Sequence, residues 1–133
     1  MRLLILYAFL ALSVNAFAQN SKLNDSSFKL TGEMRSKLIS ASKNNGKLDY
    51  WTRIKGHELE GEKIEDDFYA AKEDVALIKW TYDITTLGLK SKADIISLFE
   101  ELKGRKIGDN ELTYIDYGYQ KALKKHAKSI AYE

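Results

Sequence analysis

Cysteine and proline are both missing from the 133 residues of this chain. Without cysteine there is no disulfide framework, thiol nucleophile, thiolate metal site or lipid-modified cysteine. Without proline, helix ends must be read from glycine, asparagine and capping residues alone. Histidine is scarce: His57 and His126 are the whole supply for imidazole chemistry. Net charge is small, with 21 basic and 19 acidic residues. A near-zero balance argues against nucleic-acid binding by bulk charge.

What is present begins with an export signal. Arg2 supplies a short positive region, residues 3–12 an unbroken apolar run, and Ala16-Phe17-Ala18 a small-residue cleavage frame. The apolar stretch is too short for a spanning helix, which needs roughly 20 apolar residues. No later run approaches it, so the expected product is soluble and exported, periplasmic or secreted, with no stable membrane insertion. Cleavage after Ala18 removes Arg2 and no acid, leaving 20 basic against 19 acidic residues. About 115 residues then remain, enough for one modest core without metal or cross-link. The expected organisation is a signal at 1–18, a polar lead-in at 19–27 and one helical domain at 28–133.

Apolar periodicity predicts an all-α fold, a small bundle of about four helices at 29–43, 66–87, 92–103 and 110–131. Leu30, Met34, Leu38 and Ala41 share one helical face. Lys43-Asn44-Asn45-Gly46 ends that helix, because Asn and Gly tolerate the left-handed conformation. Phe68, Ala71, Val75, Ile78 and Tyr82 form one stripe from 66 to 87; Tyr69, Ala76, Leu77, Trp80, Ile84 and Leu87 form a second. A helix apolar on two sides belongs at the centre of a bundle. Ser91 with Asp94 reads as a cap for a helix buried through Ile95, Leu98, Phe99 and Leu102, and Gly104 stops it. The last helix puts Leu112, Ile115, Tyr119, Leu123, His126 and Ile130 in one sector. Residues 44–65 read as irregular or a short hairpin, since Leu48, Trp51 and Ile54 fit a helix while Leu48, Tyr50, Thr52 and Ile54 fit a strand.

Catalytic patterns are sparse. His57-Glu58-Leu59-Glu60-Gly61 begins like a zinc-protease helix, but Gly61 stands where the second histidine is required. No metal or cofactor is expected. The apolar sector places His126 in the core, bonded to a neighbour rather than acting as a base. Glu58, Glu60, Glu62, Glu65, Asp66 and Asp67 crowd one segment and read as a docking patch for a basic partner, or alternatively as the acid and base of a small hydrolase. Opposite the apolar sector of the last helix lie Tyr114, Tyr117, Lys121, Lys124, Lys125, Lys128 and Tyr132. Tyrosine is enriched at protein interfaces because a flat ring with a polar tip supplies contact area at low entropic cost.

These features point to a non-enzymatic, protein-binding domain, an inhibitor or immunity-type protein that neutralises a partner protein in the periplasm or outside the cell. In layout alone the chain is similar to small exported immunity proteins that block cell-wall-degrading toxins. It lacks the paired cysteines common among them, and no residue is carried over. The alternatives are an envelope hydrolase built on the carboxylates of 58–67 and a helical binder of a small ligand or metal. The compartment has a direct check. Intact-mass analysis of exported material should show Gln19 as the first residue, whereas recovery of residues 1–18 in a membrane fraction would refute export by cleavage.

Overall fold

The structure, a computed structural model, describes residues 29–131. The expected signal at 1–18, the lead-in at 19–27 and Tyr132 lie outside the described residues. In chain order the elements are α1 (Gly32–Ala41), a 3-10 turn (Thr52–Ile54), β1 (Gly61–Glu65), β2 (Phe68–Ala71), α2 (Lys72–Thr86), α3 (Lys92–Lys103) and α4 (Asp109–Ala131). The fold is mostly helical but carries a two-stranded antiparallel sheet, so the all-α expectation is corrected.

The correction falls at 66–71, which the sequence pattern assigned to the central helix. Gly61 pairs with Ala71, Glu62 with Ala70, Lys63 with Tyr69 and Glu65 with Phe68, with a bulge between Lys63 and Glu65. Asp67 takes a left-handed φ of 61° in the turn, a conformation Asp tolerates better than most residues. Ala71 is still extended, so α2 starts at Lys72. Phe68 and Tyr69 fitted the helical stripe by spacing, yet they belong to β2. The short hairpin expected within 44–65 therefore exists, displaced to 61–71.

The other helix ends follow local chemistry. The Thr31 hydroxyl accepts the Met34 amide at 3.2 Å and starts α1. Asn44 and Asn45 adopt φ of 50° and 64° just beyond it. The Ser91 side chain accepts the Asp94 amide at 3.3 Å, and Gly104 closes α3 in the left-handed region at φ 68°. At the start of α4 the Glu111 carboxylate accepts the Gly108 amide at 2.9 Å. This is the reciprocal half of a capping box.

Packing is centred on α2, as its two-sided pattern predicts. Val75, Ala76, Leu77, Ile78, Trp80, Thr81, Ile84 and Thr85 are all buried. Trp80, Ile84, Ile95, Leu98 and Ile115 are fully inaccessible. Trp51, Trp80 and Phe99 form a triangle of tilted rings with centroids 5.9 to 6.5 Å apart, a geometry favoured by the ring quadrupoles. The Trp80 indole donates to Ser42 Oγ at 2.8 Å, tying the end of α1 to the core. Asp49, almost inaccessible, accepts the Asn45 amide, the Thr52 amide and the Thr52 hydroxyl, and so organises the loop between α1 and the 3-10 turn.

α2 and α4 approach through Gly118. A β-carbon there would stand 2.6 Å from the Ile78 carbonyl oxygen and 3.1 Å from Thr81 Cβ. The middle of the apolar sector of α4 is packed beside this contact, with Ile115 and Tyr119 buried together with neighbouring Ala122, while Leu112 at its start is exposed. Beyond Leu123 the sector is exposed, including His126 and Ile130. The expectation of a core histidine is thereby overturned. The reason is length: α4 has 23 residues and α2 has 15, so α4 outlasts its neighbour by roughly 12 Å at 1.5 Å per residue.

Gly118→Ala should destabilise the fold by about 1–3 kcal/mol through overpacking, despite the better helix propensity of alanine. Gly32→Ala, where the added methyl meets nothing within 4 Å, should show no comparable loss. Urea unfolding of the two variants separates these effects, and a neutral Gly118→Ala would show that the close approach is not required.

Candidate functional site

The lysine-tyrosine face of α4 forms one wall of a groove of about 620 Å³, with Tyr82 of α2 and Glu65 of β1 opposite. α4 changes charge along its length. Its acids, Asp109, Glu111 and Asp116, fall in the first turns, whereas from Tyr117 onward it carries Lys121, Lys124, Lys125 and Lys128 and no acid. Among the described residues none of these four lysines has a carboxylate within 4.0 Å. Lys125 lies over the Tyr82 ring, 5.6 Å from its centroid. Interaction with the Tyr82 side chain first, and then the nearby Asp83 charge, hold its ammonium above the usual lysine range.

Tyr117 anchors the groove rather than standing free. Its ring packs on Phe68 of β2 with centroids 5.5 Å apart, and its hydroxyl donates to the Glu65 carboxylate. Burial, together with that bond and the Glu65 charge, pushes the phenol up to about 12. Tyr50 is shifted for parallel reasons: burial first, then its hydrogen bond to Asp83 and the Asp83 charge raise it to about 12.

The candidate residues therefore divide. Tyr117, Lys121, Lys124 and Lys128 line the groove together, as their helical spacing implies. Tyr114 is half-buried and faces a different cleft beside Trp51 and Leu77. Tyr132 lies outside the described residues. Tyr82, Thr113, Asp116 and Gln120 also line the groove. Tyr82 carried a signal that the stripe analysis assigned to the core: it is a large aromatic near the end of α2, where burial is incomplete.

The carboxylates of 58–67 are spread along the hairpin and its approach, and five of the six have a named polar partner. Glu58 accepts the Gly56 amide at 3.0 Å. Glu60 faces His57 and Lys72. Glu62 is 3.8 Å from Lys79 and Asp66 is 3.4 Å from Lys63. Glu65 meets Tyr117, and Asp67 occupies the turn. Of the six, Glu65 alone reaches the groove. His57 is exposed, and among the described residues no group of three or more His, Asp and Glu side chains is arranged to hold a metal. No helix among them is long and apolar enough to cross a membrane. No family model, curated protein sequence or solved structure matches the chain.

The two raised tyrosines give a pH signature. A phenol with a folded-state pKa above its unfolded value stabilises the fold fully below the unfolded value of 10.0, and that contribution is lost as pH rises toward about 12. In an alkaline absorbance titration two tyrosines should ionise late. Tyr117→Phe should remove one of them and flatten the fall in melting temperature over that window. Ionisation of all tyrosines together near the ordinary value would contradict the Glu65 and Asp83 contacts.

Proposed function

We propose that the chain is an exported protein-binding domain of inhibitor or immunity type, and that it receives an acidic segment of its partner protein in the α4 groove. The observation that carries this reading is the shared groove itself: Lys121, Lys124, Lys125 and Lys128 without carboxylate partners, beside the rings of Tyr82 and Tyr117. Helix-dipole complementarity favours lysine near a helix carboxyl end, but that effect fades within the last turn. Lys121 and Lys124 lie further back, so their presence calls for another reason. A partner carboxylate gains from several cations at once and would be steered to them over distance. The adjacent rings supply contact area of the kind that dominates protein interfaces.

Charge reversal at the groove tests the reading. A partner recovered from envelope or culture extracts by the wild-type domain should lose at least tenfold in affinity to Lys121→Glu/Lys124→Glu, about 1.4 kcal/mol. Raising salt should weaken the wild-type complex more than the variant complex. Both lysines are exposed, so the melting temperature should hold. Tyr117→Ala should weaken capture too, but with a lower melting temperature, because it also removes the contact to Phe68 and Glu65. Equal capture by the charge-reversed domain would eliminate the groove as the binding face.

A further inference from the structure

At the other end of the α2–α4 pair lies a second cleft, of about 360 Å³, bounded by the first turn of α2, the end of α3, the start of α4 and Trp51. Its volume suits a small molecule. Five charged residues line it: Glu73, Asp74, Lys103, Arg105 and Glu111. Two of them consume each other. Arg105 donates through both terminal nitrogens to both Glu111 oxygens, each at 2.8 Å, a fork-to-fork pair that leaves neither group free.

The remaining three are not so engaged. Among the described residues neither Glu73 nor Asp74 has a cation within 4.0 Å, and Lys103 has no carboxylate within that distance. Lys103 instead rests its ammonium 3.9 Å from the centroid of the Trp51 ring. Acids in the first turn of a helix are ordinary, since they complement the dipole. That accounts for Glu73 and Asp74, and Lys103, the last residue of α3, likewise complements the dipole at that helix's carboxyl end; what neither dipole supplies is an ion pair between the two signs across the cavity. A cavity with anionic and cationic poles that do not neutralise each other is complementary to a ligand carrying both charges.

We propose that this cleft binds a small zwitterion of amino-acid or dipeptide size, its ammonium on Asp74 and Glu73 and its carboxylate on Lys103, over the aromatic floor of Trp51. Leu77, Phe99 and Tyr114 complete the wall and offer apolar surface to the ligand's carbon atoms. The ionisation of both poles agrees with the geometry. Burial, then the charges of Glu73 and Glu111, hold the Asp74 carboxyl above its usual range. Burial, then the Arg105 charge, hold the Lys103 ammonium below its own, against the attraction of Asp49, Glu111 and Glu73. Burial disfavours the charged form of both groups, neither has an ion-pair partner within 4.0 Å among the described residues, and one zwitterion supplies a partner to each.

The cleft reports on itself, because Trp51 lines it while Trp80 is fully buried. The purified chain is titrated with alanyl-alanine, with its N-acetyl derivative and with its carboxyl amide, following tryptophan fluorescence. The free dipeptide should give a saturable change, and each capped form should bind at least tenfold more weakly. In Lys103→Met the free dipeptide and its amide should bind alike; in Asp74→Asn the free dipeptide and its N-acetyl form should bind alike. If either variant fails to fold by circular dichroism, the capped series on the wild-type chain decides alone. No saturable response to the free dipeptide, or capped forms binding as tightly as the free one, would overturn the proposal.

Discussion

The approach of α2 to α4 at Gly118 constrains everything around it. With hydrogen in place of a side chain, the α4 backbone comes close enough that a β-carbon would clash with the Ile78 carbonyl. Contacts on either side of this point fix the direction of the pair. Asp74 and Glu111 line the same cleft, Ile78 and Thr81 meet Gly118, and Tyr82 meets Lys125. Early residues of α2 thus face early residues of α4 and late face late, so the helices run the same way. A chain that lays two helices parallel needs a returning element between them, and α3 (Lys92–Lys103) provides it. The two concave sites lie at opposite ends of this pair, and they inherit their geometry from it.

The smaller elements are fastened to that pair by single, directional contacts. The hairpin is held to α4 by the Phe68–Tyr117 ring contact and the Tyr117–Glu65 hydrogen bond. The loop after α1 is held to α2 twice, through Trp80 to Ser42 and through Tyr50 to Asp83. α1 itself has no fully buried residue, but Leu38, Ile39 and Ala41 pack half-buried against the core, and Arg35 reaches Glu101 at 2.7 Å and Ser97 at 3.1 Å on α3. Hydrogen bonds and ring contacts of this kind add modestly to stability but strongly to uniqueness of arrangement. Tyr117 is therefore structural before it is anything else.

Helices and their ends were legible in the sequence wherever local chemistry decides them: Ser91 with Asp94, Gly104, and the left-handed Asn44 and Asn45. The hairpin was not. Its turn is Asp66-Asp67 rather than the Asn-Gly or Asp-Gly that signals a tight turn, and Phe68 and Ala71 fall at helical spacing ahead of Val75. The hairpin is held by tertiary contacts that the local pattern does not contain, those of Phe68 and Glu65 with Tyr117 and of Glu62 with Lys79. The lysine face was legible because four residues on one helix share a side whatever the fold. The placement of Tyr114, Tyr82 and Lys103 was not, because each depends on which second helix lies opposite. His126 was misplaced because periodicity shows which residues share a face of a helix; it does not show where the neighbouring helix ends.

That last point also bears on charge. The chain is close to neutral, and its hairpin acids find neighbours at Lys63, Lys72 and Lys79. The lysines of α4 do not. The excess length of α4 carries its final turns past α2, and among the described residues no carboxylate lies within 4.0 Å of Lys124 or Lys128. The same overhang exposes Ile130. Unpaired cations and uncovered apolar surface on one helix therefore have a single geometric cause. A partner that covered the overhang with an acidic surface would satisfy both at once, which is why the α4 groove carries the proposal in preference to the acidic hairpin, where Glu60, Glu62 and Asp66 already have lysine or histidine neighbours.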